Sequence, residues 1–125
     1  MKESTVYLDI AVLEQTLAPL GGITPESLAP FVEIYIDESR QLFEDIQTAI
    51  QQQQADQIHY AAHTLKSSSA ALGMMLVQNL CQHLETKSQN GDVTLAEYIP
   101  QLETAIQEGL KQLERLISND SYKPQ

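Results

Sequence analysis

His63 is the residue of this chain best suited to do chemistry, and its neighbours decide which chemistry. It lies in the stretch Ala61-Ala62-His63-Thr64-Leu65-Lys66-Ser67-Ser68-Ser69-Ala70-Ala71-Leu72-Gly73. Wound as a helix at about 100° per residue from Ile58, this stretch brings Ala61, Ala62, Leu65, Ser69 and Leu72 within roughly 60° of Ile58, an apolar stripe. His63 falls about 140° away, on the side that carries His59, Lys66, Ser67 and Ala70. The imidazole therefore points outward, with a lysine one turn further on and small residues beside both. A neutral imidazole is a good nucleophile, and with an ordinary pKa of about 6.5 most imidazole is neutral near pH 7. A phosphoryl group carried on such a ring would meet the Lys66 ammonium, which can offset its charge. From Gln57 to Gln82 there is no Asp or Glu, although the chain has 17 acidic residues. That gap marks a surface able to handle an anion. Serines compete for backbone hydrogen bonds, so Ser67-Ser68-Ser69 is unusual in mid-helix. Ser69 is expected to pack inward and Ser67 to face out.

The elements that must position these residues are helical. Strand signals are weak: there is no Trp, Phe is scarce, and no β-branched run alternates. A first helix is predicted from about Leu8 to Ala18, with Ile10, Leu13 and Leu17 inward, ended by Pro19 and Gly21-Gly22. Thr24 is placed to cap a second helix and Pro25 to begin it. That helix runs from about Glu26 to Gln52, with Leu28, Phe31, Val32, Tyr35, Ile36, Leu42, Phe43, Ile46 and Ile50 at helical spacing. The polar run Gln51 to Gln54 ends it. A third helix begins near Asp56, carries His63 and stops near Gly73. A fourth spans about Met75 to Ser88, with Leu76, Leu80, Cys81 and Leu84 inward, and Asn90-Gly91-Asp92 turns the chain. The last spans about Leu95 to Ile117, with Leu102, Ile106, Leu110, Leu113 and Ile117 facing in. Pro100 is expected to kink it or to split off a short first helix. The tail from Ser118 to Gln125 is polar and expected to fray. The sum is an all-α fold, an antiparallel four-helix bundle with an additional N-terminal helix. It forms one domain over residues 1–125, with an ordered core of about residues 7–118.

Composition narrows the function classes. A length of 125 residues suits a single domain, and 42% hydrophobic residues suit a folded one. The net charge of −10 leaves no basic footprint for nucleic acid and disfavours anionic membrane surfaces. Cys81 is the only cysteine, so no intrachain disulfide can form, and it is expected to be a buried thiol. No apolar run approaches the ~20 residues of a membrane span. No apolar segment follows Met1-Lys2-Glu3-Ser4, so no secretory signal is expected and the chain is assigned to the cytoplasm. Its start at Met1 favours a stand-alone protein. Walker-type loops, G-x-G-x-x-G and the nucleophile elbow are all missing, so the chain is not expected to act as an ATP-dependent kinase by itself.

The run from His63 to Gly73, followed by Leu80-Cys81-Gln82-His83-Leu84-Glu85 and then Gly91, resembles the histidine-containing phosphotransfer (HPt) domain. The family pattern is roughly A-H-x-L-K-G-S-[SA]-x-x-x-G, then L-C-x-x-L-E, then a glycine at the next turn. The resemblance implies a bundle that relays phosphoryl groups between the aspartates of response-regulator receiver domains. His63 would be the phosphorylated nucleophile and Lys66 would stabilise the phosphate. His59, Ser67, Ala70 and Lys87 would meet the receiver. The implied partners are receiver domains and a hybrid histidine kinase. Mg²⁺ would come from the receiver, and this chain would need no cofactor or metal of its own. A monomer is expected, since one bundle can bury all the apolar faces. Two positions depart from the pattern: Ser67 stands where many members have Gly, and Gln89 where many have Arg, which leaves Lys87 as the nearest base.

Two other readings use some of the same residues. A helical adapter without phosphotransfer would make His63 incidental. A metal-binding bundle would use His59 and His63 at i,i+4, joined by His83. The lack of a carboxylate nearby in sequence and the presence of Lys66 oppose that second reading.

Overall fold

Asp9 opens the first helix, its carboxylate accepting from the N–H groups of Ala11 at 3.0 Å and Val12 at 3.4 Å. This is the capping role that a short acidic side chain fills best. The structure, a computed structural model, describes residues 6–118. The expected fraying of the tail after Ser118 lies outside the described residues. α1 spans Ile10–Leu17 and runs into a 3₁₀ turn, Ala18–Leu20. α2 spans Pro25–Gln51, α3 Ala55–Ala71, α4 Met75–Gln89 and α5 Tyr98–Ser118, with no strand among the described residues. At the start of α2, Thr24 and Ser27 each take the other's backbone N–H on a side-chain oxygen at 3.0 Å. Two donors that the helix leaves free are satisfied reciprocally.

α3 packs on α2 and α4, α2 packs on α5, and α5 returns to α4. Four helices thereby close a ring around one core, the stable arrangement for helices that are apolar along one face. Leu28, Val32, Tyr35 and Ile46 of α2 meet Ile58, Ala62 and Leu65 of α3 there, with Val77, Cys81 and Leu84 of α4 and Leu102, Ala105 and Leu113 of α5. Phe31, Ile36, Leu42, Phe43, Leu76, Leu110 and Ile117 are only partly buried and pack along the edge of this core. Burial, reinforced by the charge of Glu85, pushes the Cys81 thiol up to about 12, so it fills space and is no nucleophile. No helix among the described residues is long and apolar enough to cross a membrane.

Two sequence expectations are corrected. Ile10 is 42% exposed: Leu13 and Leu17 fill the contact with the bundle, and Ile10 sits in the open first turn of a short helix. Pro100 neither kinks nor splits α5. The helix begins at Tyr98, so Pro100 lies in its first turn, where a missing N–H has no intrahelical partner to lose.

The α3–α4 turn is clamped by the N-terminal segment. Asp9 donates its N–H to the Gly73 carbonyl at 2.7 Å, Met75 donates to the Tyr7 carbonyl at 3.2 Å, and the Thr16 hydroxyl donates to the Ala71 carbonyl. Gly73 has φ +72, and a Cβ added there would run into the Asp9 carbonyl oxygen. Gly73→Ala is therefore expected to lower the unfolding free energy by about 2 kcal/mol or more, combining left-handed backbone strain of ~1–2 kcal/mol with that collision. Urea unfolding checks this, and an unchanged midpoint would refute it.

Candidate functional site

Residues on either side of the Gly73 turn face each other according to their distance from it. His63 lies ten residues before Gly73 and Glu85 twelve after it, while Lys66 and Gln82 stand seven before and nine after. At a helical rise of about 1.5 Å per residue, each pair comes to nearly the same height. His63 Nδ1 is 2.8 Å from Glu85 Oε2. Lys66 Nζ is 2.5 Å from Glu85 Oε1 and donates to Gln82 Oε1 at 3.0 Å. The Gln82 amide in turn donates to the Thr86 hydroxyl at 3.1 Å. The His63 side chain is 58% exposed and that of Glu85 only 8%. A covered carboxylate therefore stands behind an open imidazole.

In the neutral ring this arrangement selects one tautomer. A carboxylate only accepts, so the nitrogen facing it carries the hydrogen: Nδ1–H donates to Glu85. Nε2 then keeps its lone pair on the far, exposed edge. Burial pushes the Glu85 carboxyl up, but hydrogen bonds from Lys66 and His63 outweigh it and hold the group below its usual 4.5. The acceptor is thus ionised at neutral pH.

A folded-state pKa below the unfolded one means that the unfolded chain binds more protons in the acid range, so stability rises with pH there. The contribution of Glu85 is fully present above its unfolded value near 4.5 and is lost as pH falls through the lower folded value. Wild type is expected to exceed Glu85→Gln in unfolding free energy above pH 4.5 and to lose that margin on acidification. Denaturant titrations of both proteins across the acid range check this; a margin that grows as pH falls would contradict it.

The acid-free run from Gln57 to Gln82 does not make an acid-free site. Glu85 lies three residues beyond it and folds back onto the ring. Lys66 is likewise no isolated cation but half of an ion pair. Ser67 and Ala70 are exposed beside His63, and Ser69 is buried, sharing a 2.7 Å hydrogen bond with the Tyr35 hydroxyl. Burial raises the Tyr35 phenol well above its ordinary value, so it stays protonated in that bond. His59 is half-buried. Its Nδ1–H donates to the Glu85 carbonyl at 3.2 Å, and its ring stacks on that of His63 with centroids 6.4 Å apart and planes 9° from parallel.

Two residues are not brought to the ring. Lys87 is two positions past Glu85, about 200° around α4, and its charge acts on Asp92 instead. His83 stacks against Tyr98 of α5, with centroids 6.3 Å apart. The three histidines therefore do not converge on a metal, and no group of three or more His, Cys, Asp or Glu suited to a metal occurs among the described residues. Sequence reasoning gave Glu85 no role. The signal was available in its distance from the Gly73 turn, which matches that of His63.

A four-helix bundle that displays one histidine from mid-helix, backed by a carboxylate and a lysine, defines the class of phosphotransfer bundles. Residues 30–118 match the Hpt domain family, and the chain belongs to that family. It works by histidine phosphotransfer in a two-component phosphorelay. The fold is also that of the histidine-containing phosphotransfer protein B (HptB) from Pseudomonas aeruginosa PAO1. The TM-score is 0.80 at 20% identity, over 96% of this chain and 100% of that one. No characterised protein matches the chain significantly by sequence alone.

Proposed function

We propose that Nε2 of His63 is the atom that carries the phosphoryl group. The observation that supports this most directly is the pairing of an exposed ring with a covered carboxylate at its Nδ1. The Nε2 lone pair attacks the phosphorus of an aspartyl phosphate on a receiver domain. The Nε2–P bond forms as the P–O bond to the aspartate breaks, and the carboxylate leaves. The Nδ1 proton stays against Glu85 throughout, so the return step releases a neutral imidazole and needs no proton transfer. Lys66 turns from Glu85 and Gln82 to the phosphoryl oxygens, a charge-assisted contact. Ser67 and Ala70 are small enough for two surfaces to approach in line with the phosphorus. His59 stands at the same edge, whereas Lys87, on the other side of α4, has no part in this step.

Mg²⁺ is assigned to the receiver, and no ATP-dependent kinase activity to this chain. A hybrid histidine kinase with its own receiver is the upstream source, a second receiver the acceptor, and the relay protein acts as a monomer. Incubation with a phosphorylated receiver domain and Mg²⁺ tests the reading. Phosphate that is acid-labile and base-stable should appear on this chain, and ATP alone should place none. Failure to gain that label from any receiver tried, under conditions in which the receiver stays phosphorylated, would sink it.

A further inference from the structure

We infer that His59 is a positioning residue for this site, holding the Glu85 main chain so that the Glu85 carboxylate meets Nδ1 of His63. The inference deepens the function proposed above and rests on it for its kinetic consequence. Glu85 is gripped from α3 at both of its ends. His59 donates to its carbonyl oxygen at 3.2 Å, while His63 and Lys66 hold its two carboxylate oxygens. A carbonyl only accepts, so His59 also carries its hydrogen on Nδ1. The two rings lie 9° from parallel because each turns the same nitrogen toward the same residue of α4.

The Glu85 carbonyl already lies within a helix and accepts from the Ser88 hydroxyl at 3.2 Å. The helix itself therefore does not require the additional donor from α3. What that donor does is fix the height of α4 against α3. A slip of one residue would move the carboxylate by about 1.5 Å and 100°, enough to take it off Nδ1 and release the choice of ring tautomer. His59 thus acts through Glu85 on the nitrogen that His63 presents.

The test compares His59→Asn with His59→Leu. The Asn amide nitrogen stands at the same position along the side chain as Nδ1 and keeps the donor, whereas Leu keeps bulk and removes it. Two measurements are made on each full-length variant after thermal unfolding confirms that it folds. The first is the ¹⁵N spectrum of the His63 ring, which reports the tautomer. The second is the rate of phosphoryl uptake from phosphoramidate, whose P–N bond breaks as the Nε2–P bond forms and ammonia leaves.

His59→Asn should match wild type in both. His59→Leu should show a mixed His63 tautomer and take up phosphate about fivefold more slowly, the scale of one net hydrogen bond. A wild-type tautomer and rate in His59→Leu would overturn the inference. So would a His59→Asn protein as impaired as the Leu variant, because the ring and not its donor would then matter. A wild-type protein that takes no phosphoryl group from phosphoramidate or from a phosphorylated receiver, with the tautomer still shifted in His59→Leu, would overturn the proposed function and leave the positioning role standing.

Discussion

A His63→Gln protein should fold as wild type does and gain no acid-labile phosphate from a phosphorylated receiver. The loss is expected to be complete, because an amide nitrogen gives its lone pair to the carbonyl and cannot form the N–P bond. Gln is the informative replacement. Its amide can still donate toward Glu85, so the covered carboxylate is not left bare, whereas Ala would leave it to Lys66 alone. The ring itself is 58% exposed, and exposed substitutions of this kind shift stability by only about 0.5 kcal/mol. Thermal unfolding and a radiolabelled transfer assay read the two halves of the prediction separately. Equal labelling of the two proteins would mean that some other residue carries the phosphate, and the assignment of His63 would be withdrawn.

The second large effect is expected at Glu85. Glu85→Gln should slow phosphoryl uptake by His63 by about 10- to 100-fold, the scale seen when the group that orients a working imidazole is removed. A carboxylate accepts and nothing else, which forces the proton onto Nδ1. An amide can accept or donate, and by donating it admits the tautomer in which Nε2 carries the hydrogen and has no free lone pair. The substitution also ends the ion pair with Lys66 at Oε1, so the ammonium loses its parking place beside the ring. Single-turnover transfer from a phosphorylated receiver measures the rate. Glu85→Asp separates charge from reach, since it keeps the acceptor and shortens the arm; it should fall between wild type and Gln. A Gln variant that transfers as fast as wild type would show that the carboxylate only packs.

Much of this site could be read in the residues themselves. The outward turn of His63, the inward turn of Ser69 and the exposure of Ser67 and Ala70 all follow from their angles on one helix. So do the five helices, several of whose starts and stops are announced by Pro19, Gly21-Gly22, Thr24, Pro25, Gly73 and the Asn90-Gly91 turn, whereas the Asp9 cap emerged only in the structure. Pro100 was misread because its effect depends on which turn it occupies, and α5 starts three residues later than its apolar pattern suggests. Ile10 was misread because helical angle says which face a residue takes but not how far the neighbouring helix extends. Lys87, expected to meet the receiver, has its charge beside Asp92, on a different side of α4 from Glu85.

The sequence by itself determined the fold class and the reactive atom's carrier: an all-α bundle with a histidine held out from its third helix. These depend on periodicity within single helices, and periodicity is a local property. Only the tertiary structure decided that Glu85 stands behind the ring, that His59 grips the same residue by its main chain, and that Lys66 waits in an ion pair. Each is a contact between α3 and α4, and it depends on the alignment of the two helices, to which the Gly73 turn, the N-terminal clamp and the His59 bond all contribute. A shift of one residue in that alignment would leave every helical pattern intact and take the carboxylate away from the ring.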